Sequence, residues 1–210
     1  MEKIEIKRNG IMLVLSSPSG AGKSSVAQML VNKTFNLSMS VSVTTRLKRK
    51  NETHGKDYFF VSKKEFDNRK KLGLFLEYAE VFKHSYGTPK EFVNKNISNG
   101  KDLIFDIDWQ GAKQLFKTSK ENMVSIFILP PSIKELEKRL NLRNLDTSNE
   151  VLSRMSLASQ EISHYKDYDY VVINSNLENT VNHVNFILNA ERLKRSRQIG
   201  LKSFVSSYQF

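Results

Sequence analysis

A chain of 210 residues, 39% apolar and 26% charged, is long enough for one substantial core or for one domain with inserted subdomains. It has no cysteine, which excludes disulfides and thiolate metal sites, and its four histidines lack paired spacing, which argues against structural zinc. The net charge of +11 points to anionic partners: nucleotides, nucleic acid or a membrane surface.

Met1 to Gly10 is charged where a signal peptide would have an apolar centre. No apolar run approaches the roughly 20 residues that cross a bilayer. The expectation is a cytoplasmic protein with no membrane partner. Positive charge gathers at Arg46, Lys48, Arg49 and Lys50, at Lys63 and Lys64, at Arg69, Lys70 and Lys71, and at Arg192, Lys194, Arg195 and Arg197. Only the first run is expected to serve a ligand; the others read as solvated faces.

Ile11 to Leu15 is an unbroken apolar stretch of strand length. Ser16-Ser17-Pro18-Ser19-Gly20-Ala21-Gly22-Lys23-Ser24-Ser25 follows, and then Val26, Ala27, Met29 and Leu30 recur at helical spacing. Strand, Gly-rich turn, Lys-Ser and helix form the context of a phosphate-binding loop. Glycines let consecutive backbone N–H groups point inward, and the new helix turns its positive end to the same place. Lys23 adds a mobile cation for the outer phosphates, and Ser24 a hydroxyl suited to Mg²⁺. Ser17 stands where the pattern normally has its first glycine, so the loop reads S-x-x-x-x-G-K-S.

Val41 and Val43 alternate with Ser40, Ser42 and Thr44, a half-buried strand pattern. Asp57 to Val61 predicts a second strand. Ser62 and Glu65 form a capping box that opens a short basic helix, ended by Gly73. Leu74 to Val81 reads as strand, with Glu77 inside an otherwise apolar stretch. Thr88-Pro89-Lys90-Glu91 predicts a helix start, with Thr88 as cap and Pro89 as first helical residue, and Gly100 as the stop. Leu103 to Asp108 is a buried-type strand ending in Asp106 and Asp108; Val124 to Leu129 is another, closed by Pro130-Pro131. Capping boxes at Ser132/Glu135 and Thr147/Glu150 open two more helices. Tyr170 to Ile173 is a last strand, and Ser175/Glu178 caps a helix with Leu177, Val181, Val184 and Leu188 on one stripe. Strands alternating with capped helices predict an α/β fold with a mostly parallel sheet. The stretch 41–86, rich in strand signals and aromatics, reads as a subdomain inserted after the first helix.

The blocks Ser42-Val43-Thr44-Thr45-Arg46-Leu47-Lys48-Arg49, Gly55-Lys56-Asp57-Tyr58-Phe59-Phe60, Phe75 to Glu80 with Tyr86-Gly87-Thr88, and Asp106-Ile107-Asp108-Trp109-Gln110-Gly111 follow the loop in order. In this order the series resembles the guanylate kinase family, from about Gly10 to Ala190. The resemblance implies a P-loop nucleoside monophosphate kinase fold and transfer of the γ-phosphoryl group of ATP to GMP, with Mg²⁺. It implies a domain over 10–190: a core at 10–40, 100–130 and 168–190, a GMP-binding subdomain at 41–90 and a helical lid at 131–165. A basic tail at 191–210 lies beyond it.

Site roles carry over by position. Ser17, Pro18, Ser19, Gly20, Ala21, Gly22, Lys23 and Ser24 match the ATP phosphate loop, and Asn174 a position near the adenine. Ser24 and Asp106 match the Mg²⁺ site. Ser42, Glu77, Thr88 and Asp108 match readers of the guanine base; Arg46, Arg49, Tyr58 and Tyr86 match the grip on the GMP phosphate. Arg139, Arg143 and Arg154 match lid arginines. Lys23, Arg49, Arg143 and Arg154 are the expected catalytic residues. The residue types suit the task. Guanine offers two adjacent donors that a fixed carboxylate such as Glu77 can accept together, and adenine lacks that pair. Arginine holds a phosphate in a planar fork. Phosphoryl transfer needs alignment and positive charge more than covalent help.

The chain departs from the family pattern at Lys48, where Pro is frequent, at Asn51 and Asn144, where Gly is frequent, and at Ser175-Asn176, where acids are usual. Asn51 is expected to keep its turn by adopting the left-handed conformation. The expected partners are the small molecules GMP and ATP, and no nucleic acid; two other classes compete with this reading, a non-catalytic guanylate-kinase-like interaction module and a nucleic-acid binder suggested by charge alone. Monomer and oligomer are equally open.

Overall fold

The computed structural model describes residues 6–81, 83–142 and 148–208, apart from the side chains at 148–150 and 153. The first strand, β1 (Met12–Ser16), is buried along its whole length. Helix α1 (Lys23–Lys33) leaves the loop that follows it, and β2 (Leu37–Met39) comes next. Strands β3 (Ser42–Thr44) and β4 (Tyr58–Phe60), helix α2 (Lys63–Lys71) and strands β5 (Phe75–Val81) and β6 (His84–Pro89) form the inserted unit. The chain returns through α3 (Lys90–Ser98), β7 (Asp102–Asp106), α4 (Trp109–Thr118) and β8 (Met123–Leu129). Helices α5 (Ile133–Leu142) and α6 (Ser148–Ser163) make a helical arm, and β9 (Tyr170–Ile173), α7 (Leu177–Arg192) and α8 (Leu201–Ser206) close the chain.

The main sheet has the order β2-β7-β1-β8-β9 and all its pairs are parallel. Parallel strands need crossover helices, and these cover both faces, which is why β1 and β8 carry near-continuous apolar runs. Leu13, Leu15, Ile126 and Ile128 face a layer made by α1 and α7, through Val26, Leu30, Val184 and Leu188. Met12, Val14, Phe105 and Phe127 face the other layer, with Val93, Ile97, Ala112 and Leu115 from α3 and α4. Burying each such aliphatic side chain is worth roughly 1.5–3 kcal/mol. The second sheet, β4-β3-β6-β5, is mixed: β3 runs parallel to β4 and antiparallel to β6. It has its own aromatic packing, with Phe66 stacked on Phe75 at 4.7 Å between ring centroids. The arm has a third small core of Leu136, Leu140, Val151 and Ala158.

Local signals explain most element ends. Ser62 Oγ accepts from the Glu65 N–H and Ser132 Oγ from the Glu135 N–H, so both capping boxes form. Two expected caps are corrected. Thr88 does not cap α3; it lies in β6, and the helix begins after Pro89 with no side-chain cap. Its hydroxyl is drawn instead to the buried carboxylate of Glu77. Ser175 does not cap α7; Asn176 does, accepting from the Asn179 N–H at 3.0 Å. The expected cap at Thr147 lies outside the described residues. Asn51 is not left-handed: the described non-glycine residues with positive φ are Asn36 and Lys83.

The basic run at the C-terminus is only in part a solvated face: Lys194 and Arg195 are exposed, whereas Arg192 and Arg197 turn inward. Arg192 and Arg8 both reach Asp102, which is wholly buried at the start of β7: Arg8 as a bidentate fork at 2.7 and 2.8 Å, Arg192 through Nε at 2.8 Å. The Ile11 N–H adds a third donor at 2.8 Å. Arg197 is 7% exposed and reaches Glu191, itself 2% exposed and held also by the Tyr170 hydroxyl. These contacts sew the segment after α7 to the N-terminal edges of the parallel strands, away from the phosphate loop. Removing one partner of such a buried group leaves uncompensated charge. Asp102→Asn is therefore expected to lower unfolding free energy by about 3 kcal/mol in a urea titration, while the folded fraction keeps its nucleotide binding. A loss under about 0.5 kcal/mol, the scale of an inert surface change, would contradict the assignment.

Candidate active site

The site forms where β1 and β7 end. Their parallel register places Leu15 beside Asp106. The loop after β1 then wraps over the start of α1, while the chain after β7 runs through Ile107 and Asp108 into α4. Lys23 connects the two: its Nζ is 2.5 Å from Asp106 Oδ1 and donates to the Ile107 carbonyl at 3.0 Å. The loop turns on Gly20 and Gly22, at φ 91° and 96°. A side chain at Gly22 would collide with the Asn174 amide, and one at Gly20 would meet Leu140 of the arm at 2.8 Å. Both positions thus need glycine for space as well as for backbone conformation.

The cleft beside this loop has a volume of about 400 Å³ and is bordered by Ser17 to Gly20, Lys23, Ser24, Asp108, Trp109, Arg154 and Glu161. Arm residues close its outer wall. Arg154 donates to the Ser19 hydroxyl at 2.7 Å, and Glu161 accepts from the Ser19 N–H at 3.0 Å. Arg139 is held by Glu135 and donates to the Asn174 carbonyl at 3.0 Å. Asn174 is 4% exposed: its amide donates to the Ala21 carbonyl at 2.8 Å and its oxygen accepts from Thr180. Trp109 stacks on His164 at 3.9 Å, joining the far end of the arm to the mouth of the cleft. Arg143 lies outside the described residues.

Across Asp106–Asp108 stands the second sheet. Glu77 on β5 is 4% exposed, with Thr88 donating to Oε1 at 2.6 Å and Oε2 against Gly111 of α4. Burial pushes its carboxyl up to about 7; the Thr88 hydrogen bond opposes the shift and the Asp108 charge adds to it. Asp108 caps α4, accepting from the Gly111 N–H at 2.9 Å. Ser42 is half-buried on β3. Tyr58 and Tyr86 pack edge to face at 6.0 Å, and the Arg46 guanidinium lies 5.3 Å from the centroid of the Tyr58 ring. Desolvation raises the Tyr58 phenol above its ordinary range. The Arg49 side chain is exposed on the turn that follows.

Three participants escaped the sequence reading. Glu52 forms a bidentate pair with Arg46 at 3.0 and 2.7 Å and accepts from the Arg49 N–H at 2.8 Å. Hydrogen bonding to Arg46 holds the Glu52 carboxyl down at about 2, and the same bond pushes the Arg46 guanidinium up. Gln114 of α4 docks the edge of the second sheet, accepting from the Tyr78 N–H at 3.1 Å and donating to the Tyr78 carbonyl at 2.7 Å. Glu161 of the arm is the third. Each makes its contact to a residue distant in sequence or to backbone, which no spacing rule announces, except that Glu52 follows Arg46 within one loop.

A phosphate loop at the carboxyl ends of a parallel sheet, facing a small second sheet and flanked by a helical arm, is the architecture of the P-loop nucleoside monophosphate kinases. The comparisons narrow the class. The guanylate kinase family model matches residues 9–191. A guanylate kinase of Rhodopseudomonas palustris (strain HaA2) is 50% identical over 200 residues, covering 95% of this chain and 91% of the relative. One from Wolbachia sp. subsp. Brugia malayi (strain TRS) is 49% identical over 191 residues, covering 91% and 98%. The crystal structure of guanylate kinase from Anaplasma phagocytophilum superposes with a TM-score of 0.80 at 41% identity, covering 97% of each chain. This chain belongs to the guanylate kinase family, and it is a kinase.

Proposed function

We propose that one cleft between the two sheets serves both nucleotides, and that the chain transfers the γ-phosphoryl group of ATP to GMP, giving ADP and GDP. The observation that carries this reading is the position of Lys23 and Glu77 on either side of one strand end, Asp106–Asp108. On one side, Ser17 to Ser24 would cradle the triphosphate through backbone N–H groups, with Lys23 on the outer phosphates. Asn174, by holding the Ala21 carbonyl, would keep the loop open toward the adenine side. On the other side, Glu77 would accept N1–H and the 2-amino group of guanine, with Thr88, Ser42 and Asp108 around the base. Arg46, Arg49, Tyr58 and Tyr86 would hold the phosphate of GMP. Arg139, Arg143 and Arg154 of the arm would bring positive charge to the phosphoryl group in transit.

These roles divide the chain as the sequence suggests: a core, a GMP-binding subdomain at 41–90, and a lid at 131–165. The reading includes Mg²⁺. Among the described residues no three His, Cys, Asp or Glu side chains converge on one point, and Mg²⁺ with a nucleotide does not need them, since it takes one or two protein oxygens and keeps several waters. Ser24 and Asp106 would supply those oxygens; the ion, when bound, neutralises charge on the phosphates. A phosphate oxygen of GMP is already a nucleophile, so no side chain is assigned as base. Among the described residues no helix is long and apolar enough to cross a membrane; the proposed compartment is the cytoplasm.

Two measurements test the reading. With ATP and Mg²⁺ fixed, ADP formation is expected with GMP and not with AMP, CMP or UMP, and Lys23→Ala should abolish it. Equal turnover of AMP would overturn the guanine site. The second uses guanosine, which lacks the phosphate that titrates near pH 6. Ligand-free Glu77 ionises near 7, above its ordinary 4.5, and only the carboxylate accepts both guanine donors. Guanosine affinity should therefore be level above about pH 7 and fall up to tenfold per unit below it. Glu77→Gln should flatten the profile; an unchanged slope in that variant would assign the titration to another group.

A further inference from the structure

The grip on the GMP phosphate, as read above, depends on two arginines, and both are arranged by one acid that is itself no part of that grip. Glu52 sits six residues beyond Arg46 and three beyond Arg49. Arginine has five N–H donors in a rigid plane. Of these, Nη1 serves the Leu47 carbonyl at 2.9 Å and Glu52 Oε2 at 3.0 Å, and one Nη2–H serves Glu52 Oε1 at 2.7 Å. The donors that Leu47 and Glu52 do not take are Nε–H and the second Nη2–H, which share one edge of the guanidinium, and the Tyr86 hydroxyl, itself assigned to the phosphate grip, lies within hydrogen-bond range of the guanidinium. That edge is itself a bidentate fork of the kind that matches phosphate. The Tyr58 and Phe60 rings, with centroids 5.3 and 5.8 Å from the guanidinium carbon, pack beside it and narrow its freedom.

Glu52 also closes the turn that carries Arg49. Its carboxylate accepts from the Arg49 N–H at 2.8 Å, and its own N–H donates to the Arg49 carbonyl at 3.1 Å. Neither Lys48 nor Asn51 is left-handed, so the turn is held by this reciprocal pair and not by a special backbone conformation. The carboxylate is half-buried, with 17% of the side chain exposed.

We propose that Glu52 is a positioning residue for the phosphate of GMP: it orients the Arg46 guanidinium so that one edge faces the ligand, and sets the turn from which Arg49 reaches. This rests on the reading of Arg46 and Arg49 as the phosphate grip. A rival effect has the opposite sign, because Glu52 is an anion near the place assigned to a second anion, and its removal would then tighten GMP.

Isothermal titration with GMP and with guanosine separates these possibilities. Guanosine reports the base pocket and the integrity of the second sheet; GMP reports the phosphate grip as well. For Glu52→Gln, GMP affinity is expected to fall at least tenfold while guanosine affinity stays within twofold of wild type. In an Arg46→Ala background, Glu52→Gln should add less than twofold, because the new amide oxygen can still accept from the Arg49 N–H and the substitution then removes only the charged fork to Arg46. GMP binding that is unchanged or tighter in Glu52→Gln would overturn the proposal, as would equal losses for GMP and guanosine, which would signal a general structural role. If instead the wild type binds GMP no better than guanosine, the phosphate grip itself is misplaced, a failure distinct from that of Glu52.

Discussion

The site depends first on the parallel pairing of β1 with β7. A parallel sheet delivers all its strand ends to one side, and this register sets Leu15 beside Asp106. From that point the backbone has two exits, one into the phosphate loop and α1, the other into Asp108 and α4. Lys23 spans the gap between them through Asp106 and the Ile107 carbonyl. The cation of the loop is thereby positioned by the strand whose continuation borders the second sheet. The phosphate loop and the second sheet are thus both tied to one strand end, through Lys23 on Asp106 and Glu77 against α4.

Charge management gives the rest of the structure its character. A basic chain would be expected to wear its arginines on the surface, yet Arg8, Arg192 and Arg197 are committed to Asp102 and Glu191, both buried. Arg46 is committed to Glu52, and Arg139 to Glu135. Burying one ion alone would cost several kcal/mol, which each pair offsets with charged and hydrogen-bonding partners, although the Nε of Arg197 is buried with no hydrogen-bond partner among the described residues. Glu77 is the contrast. Its carboxyl lies deep against α4, held by the Thr88 hydroxyl and backbone N–H and, among the described residues, by no cation, and burial raises its ionisation point. The proposed function assigns to this carboxyl a ligand that supplies further donors.

Much of this was legible in the chain. The phosphate loop could be read because glycine, lysine and serine in register have few other uses, and the main strands because burial on both faces leaves uninterrupted apolar runs. The ends of α2 and α3 could be read at Gly73 and Gly100, which adopt φ of 64° and 75°. What could not be read has physical reasons. Strand β2, with three residues, is too short for a periodicity, and β6 is broken in pattern by Gly87. Thr88 followed by Pro89 looks like a helix start, but the buried carboxylate of Glu77 competes for the hydroxyl and takes it, at 2.6 Å. Helix α4 was hidden behind the strand-end motif whose last acid is its cap. Glu52, Gln114 and Glu161 act on backbone or on arginine geometry, and such contacts leave no signature in spacing.

The central claim is that the phosphate loop and the buried carboxylate of Glu77 open into one continuous cleft. It is tested most directly by the affinity of a single molecule in which adenosine and guanosine are joined by a polyphosphate chain long enough to span the two halves. The account predicts binding much tighter than that of ATP or GMP alone, because the second contact becomes intramolecular, and weakening by both Lys23→Ala and Glu77→Ala. Affinity no greater than that of ATP, sensitive to Lys23 and indifferent to Glu77, would contradict it.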